Sequence, residues 1–163
     1  VDALGAQIAY AGDSFGLSVS WANIENHTTS AAGVDTVTTG SGDGQTQSVG
    51  FNAYYTPDLP NFPSISAGFE RNHDDSVSGT SNDETTHYFV GIQWDEILEG
   101  TLGAAIGSKT PYNENADALT MYEVFYSYEY ADGITITPLV YSKDNSGSTA
   151  DETGVIVKST FSF

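Results

Sequence analysis

The chain has 163 residues with 22 Asp plus Glu against 4 Lys plus Arg, a formal net charge of -18, and no cysteine. That balance argues against nucleic-acid binding through phosphate neutralisation, and it excludes disulfides and thiolate metal sites. Mean hydropathy is -0.25, and no run approaches the ~18 apolar residues of a membrane helix. A helical membrane protein is therefore excluded. A membrane barrel is not, because barrel strands dilute their apolar residues by half.

The chain alternates with period two, the signature of strands with one apolar face. Leu4, Ala6, Ile8 and Tyr10 stand opposite Gly5, Gln7 and Ala9. No signal peptide is visible before this pattern, so a missing or processed N-terminus is expected. A tight turn at 11–14 leads to Phe15, Leu17, Val19 and Trp21. Residues 25–47 are rich in Thr, Ser and Gly and read as a loop. Val49, Phe51, Ala53 and Tyr55 form the next apolar face, and a proline-containing turn at 57–63 leads to Ile65, Ala67 and Phe69.

An acidic loop is expected at 72–86. Tyr88, Val90, Ile92 and Trp94 follow on one parity, with Phe89 as an exception on the other. After a turn at 96–100 come Leu102, Ala104 and Ile106, then a loop at 109–117. Tyr122, Val124, Tyr126, Tyr128 and Tyr130 make the next face, opposite Glu123, Ser127 and Glu129, with Phe125 among them. Asp132-Gly133 signals a hairpin. Ile134, Ile136, Pro138 and Val140 follow. Pro138 removes a ladder donor, so a bulge or weak ladder is expected there. After a loop at 144–152, the last strand places Val155, Val157, Phe161 and Phe163 on one parity, with Ile156 as an exception on the other.

Nine strands result, joined by connections that alternate short and long. Short turns on one side and long loops on the other are the arrangement of an outer-membrane barrel. Tyr122 to Tyr130 rises roughly 26 Å along the strand, or roughly 20 Å across a membrane at a tilt of about 40°. The predicted long loops hold 12 of the 22 acids, and the apolar faces hold none. The fold class expected is all-β, an antiparallel transmembrane β-barrel. Nine is odd, whereas bacterial single-chain barrels have even strand numbers. Residues 1–163 are therefore expected to be the C-terminal part of a larger barrel, without its N-terminal strands.

The ending YEYADGITITPLVYSKDNSGSTADETGVIVKSTFSF (128–163), and GIQWD (91–95) followed by a turn and a Gly/Ala-rich strand, resemble cyanobacterial outer-membrane porins. The class resembled is the OprB-like, carbohydrate-selective one. The likeness covers the last 80 residues or so and, in pattern only, the first 50. It implies a 16-stranded homotrimeric barrel in the bacterial cell outer membrane. It also implies an N-terminal peptidoglycan-anchoring domain that is not in this sequence. The solutes it implies are sugars or small inorganic ions, including iron species. Phe161 and Phe163 resemble the signal read by the barrel assembly machinery, although the glycine usual in that signal is displaced.

Pore-lining candidates are the polar-parity residues Asn52, Glu70, Gln93, Glu123, Glu129, Lys143 and Lys158. Trp21, Tyr55, Tyr88, Trp94, Tyr122, Tyr128 and Tyr130 are candidates for a lipid-facing aromatic girdle. Arg71 falls on the apolar parity and is expected at the outer interface or in the loop. Gly12-Asp13-Ser14-Phe15-Gly16 matches the G-x-S-x-G of a nucleophile elbow, but a strand pattern follows where the elbow needs a helix. No catalytic role and no cofactor is expected. His73, Asp74, Asp75, Asp83, Glu84 and His87 gather near one loop without a metal-site spacing, so a solvated acidic loop is the expectation.

The function expected is a porin: a passive, cation-favouring channel for small hydrophilic solutes or inorganic ions, with outer-membrane lipid as its surroundings. The competing reading is a soluble or surface β-sandwich adhesion module with acidic, calcium-binding loops.

Overall fold

The computed structural model describes residues 2–25, 28–29, 35–36, 44–75, 77, 81–111, 116–145 and 150–162. The strands are β1 (Asp2–Ala11), β2 (Phe15–Glu25), β3 (Thr28–Thr29), β4 (Asp35–Thr36), β5 (Gln45–Tyr55) and β6 (Ser64–Asp74). They continue with β7 (Glu84–Ile97), β8 (Gly100–Lys109), β9 (Leu119–Ala131), β10 (Ile134–Lys143) and β11 (Glu152–Phe161). Nine of them form one antiparallel sheet in sequence order, β1-β2-β5-β6-β7-β8-β9-β10-β11, and β3 pairs with β4 as a separate two-residue ladder. The sheet is open, with β1 and β11 at its edges.

The nine predicted strands are all present, but several run further than the apolar alternation does. β5 begins at Gln45, β6 continues to Asp74 and β7 begins at Glu84. The loop expected at 72–86 therefore shrinks to 75–83, and that at 25–47 loses its end to β5. The reason is physical. These strand ends are polar on both faces, so the ladder continues where the hydrophobic period has stopped. The length contrast between connections softens accordingly, and the turn at 56–63 is as long as the loop at 144–151.

Turn chemistry fixes the other end. The Gly12 N–H donates to the Phe15 carbonyl at 2.9 Å in the first hairpin. The turn between β7 and β8 is two residues, Leu98 and Glu99, at φ +49° and +65°. Both signs are those of a type I′ turn, although neither residue is glycine. The Tyr126 hydroxyl donates to the Leu98 carbonyl at 2.7 Å and braces this turn. Gly133 takes φ +72° in the 132–133 turn, as predicted from Asp-Gly.

Of the bulge or weak ladder expected at Pro138, the structure shows the weak ladder. Register runs unbroken through it, with Val157 opposite on β11, while no β9 pairing forms at Thr137 or Pro138. The bulge lies instead between Ile134 and Thr135, where Tyr130 of β9 is the extra residue.

The ladders also carry a stagger. A line drawn across the sheet from Thr153, near the loop end of β11, passes Ser142, Tyr122, Ile106, Val90, Ala67, Ala53 and Leu17. It reaches Tyr10, beside the turn end of β1. That drift is roughly seven residues over eight pairings, a strand tilt of about 30° at a rise of ~3.3 Å and a spacing of ~4.8 Å.

The two faces of the sheet

Cross-strand register decides which residues share a face, because direct partners point the same way. One face carries every predicted apolar set at once. It runs from Leu4, Ile8 and Tyr10 through Leu17, Phe51, Phe69, Val90, Ile106, Val124 and Val140 to Val155 and Val157. Charges on this face stand at its loop-end margin: Asp2, Glu25, Arg71 and Glu84. Arg71 lies in β6 between Val49 and Thr86, at the margin expected from its parity, and forms an ion pair with Glu84. The face is open to its surroundings, with Ile8 83% and Val155 70% exposed. Among the described residues no large hydrophobic side chain is buried.

Six of the seven predicted girdle residues belong to this side by register, in two rows. Trp21, Tyr88 and Tyr122 stand toward the loop end. Tyr55, Trp94 and Tyr128 stand toward the turns, with Tyr130 in the bulge beside them. Sequence reasoning left Tyr10, Phe15 and Tyr126 out of the turn-end row. Tyr10 and Phe15 pack across the first turn with ring centroids 5.2 Å apart, and Tyr126 and Tyr128 at 5.8 Å. Their parity alone would have found them. Phe161 ends β11 on the same face opposite Ile134, and Phe163 lies outside the described residues.

The opposite face is polar and concave: four hollows among the described residues lie against it. All seven pore-lining candidates stand here. Gln93 and Glu123 line one hollow of about 470 Å³. Asn52 and Glu70 line another of about 210 Å³, and Glu123 with Lys143 a third of about 620 Å³. Glu129 and Lys158 are on the same face, opposite Thr135 and Thr137, but border none of these hollows.

Local hydrogen bonds order this wall. Asn72 Nδ2 donates to Glu70 Oε1 at 2.7 Å, and Gln93 Nε2 to Asp95 Oδ1 at 3.0 Å. At the loop-end lip Tyr141 donates to Glu152 at 2.6 Å and Lys143 lies 3.0 Å from the same carboxylate. Among the described residues this face carries six carboxylates, Glu70, Asp74, Asp95, Glu123, Glu129 and Glu152, against three lysines, Lys109, Lys143 and Lys158.

The concave face also explains the exceptions to alternation. Four aromatic residues on it each stand directly opposite a glycine: Tyr54 and Gly16, Phe89 and Gly68, Phe125 and Gly103, Tyr141 and Gly154. A Cβ added at Gly68 or Gly103 would meet the facing ring at 2.3 Å, and at Gly16 at 2.2 Å. The rings lie over bare backbone, the packing by which aromatic residues compensate for strand glycines. Phe89 and Phe125 are thus part of the wall. Ile156 likewise stands on this face, opposite Leu139.

The acidic loop cluster is divided by the same alternation. His73 and Glu84 are on the convex face and Asp74 and His87 on the concave one. His73 Nε2 contacts Asp75 at 2.6 Å, and no group of three or more His, Cys, Asp or Glu among the described residues could hold a metal. At Ser14 a strand follows directly, so the strand–turn–helix geometry of a nucleophile elbow is not formed. Comparison with family models, with curated proteins and with solved structures gives no match to this chain.

Proposed function

We propose that the sheet is part of the wall of a transmembrane β-barrel. In this reading it is an outer-membrane porin through which small hydrophilic solutes or inorganic ions diffuse passively, with cations favoured. The observation that carries the reading is the continuity of one uncharged apolar band across nine strands, backed by a concave polar face.

In water such a band exceeds the few hundred Å² of apolar patch that soluble monomers expose. A lipid bilayer removes the cost, provided every backbone group is paired within the sheet. Strands of ten to fourteen residues reach ~28 Å or more across a membrane at a tilt of about 30°, enough to contain the ~25 Å apolar band of outer-membrane barrels. Two rows of Tyr and Trp at the margins suit the two membrane–water interfaces. Staggered strands are a feature of closed barrels, and the tilt of about 30° here approaches the typical ~35–45°. Closure needs further strands between β11 and β1, as in the 16-stranded trimers that the porin resemblance implies. The lipid contacts, the trimer and the recognition of Phe161 by barrel assembly machinery belong to the same proposal.

The excess of carboxylates over lysines on the concave face attracts cations into a water-filled passage with low-dielectric walls. A soluble β-sandwich would need a second layer over the apolar face, and the nine long strands form a single sheet. Reconstitution in a planar bilayer under a potassium chloride gradient tests the function. A reversal potential of cationic sign is expected. Anion selectivity, or purification as a stable monomer without detergent, would overturn the reading.

A further inference from the structure

We infer that the hollow of about 470 Å³ on the concave face between β5 and β9 is a binding site for an organic ammonium ion carrying an apolar group. The inference rests on the reading of the concave face as a water-filled lumen. Its floor is Ser66, Gly91 and Ala105, which are consecutive partners across β6, β7 and β8 and so leave a trough in the wall. The same line across the sheet continues from Ala105 to Glu123 on one side and from Ser66 to Tyr54 on the other.

Three rings border the trough: Tyr54, Phe89 and Phe125. None stands free in the lumen. Each lies over the glycine opposite it, and the Tyr54 hydroxyl is tied to the Gly12 carbonyl at 3.0 Å. A ring packed against the facing glycine and bordering the hollow offers it π surface. That is the electron-rich face that attracts a cation, and it is ordered before any ligand arrives.

Among the described residues the trough contains one charged side chain, Glu123. The nearest cation on the same wall, Lys143, sits diagonally from it and is already 3.0 Å from Glu152. Lys109 also borders the neighbouring hollow. It stands four residues along β8 from Ala105, or roughly 13 Å, beyond the ~8–10 Å over which an exposed charge acts at physiological salt. A solute that suits these parts has a cationic head for the carboxylate and an apolar body for the rings. A metal ion finds only one carboxylate here, and a neutral solute makes no use of it.

The probe is benzyltrimethylammonium, titrated calorimetrically into the protein in detergent and added to the channel in a planar bilayer. Saturable binding is expected, with potassium and benzyl alcohol each about tenfold weaker because each lacks one of the two contacts. Glu123→Gln should weaken binding about tenfold. Phe125→Leu, which keeps an apolar group but removes the π face, should weaken it about threefold. Glu99→Gln in the 98–99 turn should leave it unchanged.

Equal binding of benzyl alcohol, or full binding by the Glu123→Gln variant, would overturn the site. A conducting channel that benzyltrimethylammonium neither binds nor blocks also overturns it and leaves the pore reading standing. Glu123-dependent binding by a protein that does not conduct supports the site and removes the pore.

Discussion

The convex and concave faces are made from alternate residues of the same strands, yet they tolerate different things. The convex face is chemically uniform and geometrically loose. Leu, Val, Ile and aromatic residues follow one another across nine strands, and what matters is that no charge interrupts them between the loop-end margin and the turns. The concave face is chemically mixed and geometrically exact in its pairings. Carboxylates, lysines, serines and rings coexist there, but each ring needs a glycine at the facing position. The difference follows from what each face meets. A fluid surface asks only for low polarity. A folded wall of side chains asks for specific neighbours.

The largest expected effect comes from breaking the uniform face. Val90→Arg, in the middle of the convex band, should destabilise the protein in a bilayer by about 2–4 kcal/mol. Ser66→Arg, on the concave face one strand away, should cost much less. Equilibrium unfolding by denaturant in lipid vesicles reads both, and equal costs would mean that the convex face does not meet lipid. Next, Gly68→Ala should cost about 1–3 kcal/mol, since the new Cβ would force the Phe89 ring from its place. Combining it with Phe89→Ser should recover most of that loss, and additive losses would remove the ring-over-glycine account.

A smaller change is expected from charge. Replacing Glu70, Glu123 and Glu129 together by Gln should lower the ratio of potassium to chloride permeability by roughly twofold, read as a shift of the reversal potential toward zero. An unchanged ratio would place selectivity elsewhere. The smallest effect belongs to the lip. Lys143→Met breaks an exposed ion pair with Glu152 and should leave the unfolding midpoint where it was, because such pairs are screened and mobile.

Much of this was legible in the chain. A period of two needs no partner to be read, so the nine strands and both parities followed from residues such as Val19, Val90 and Val157. So did the hairpin at Asp132-Gly133. The seven pore-lining candidates share a face because each already stood on the polar parity. The strand ends at Gln45, Asp74 and Glu84 were not legible, because there the ladder runs through residues polar on both sides and alternation carries no signal. The weak ladder at Pro138 was legible from the proline itself, but the bulge at Tyr130 was not. A proline announces a missing donor, whereas a bulge is set by how two strands meet a turn.

By itself, then, the sequence determined that this protein is built of alternating strands, with one apolar parity whose charges are confined to the strand ends and one polar parity rich in acid. Those are properties of a residue and its neighbours along the chain. Only the tertiary structure decided which strand lies beside which, how far each is staggered, and that the polar parity is the hollow side. It alone set Phe89 over Gly68 and Phe125 over Gly103, and brought Glu123 to the rim of a trough floored by Ser66, Gly91 and Ala105. Those are properties of register, and register is fixed by turn lengths and cross-strand packing rather than by any single strand.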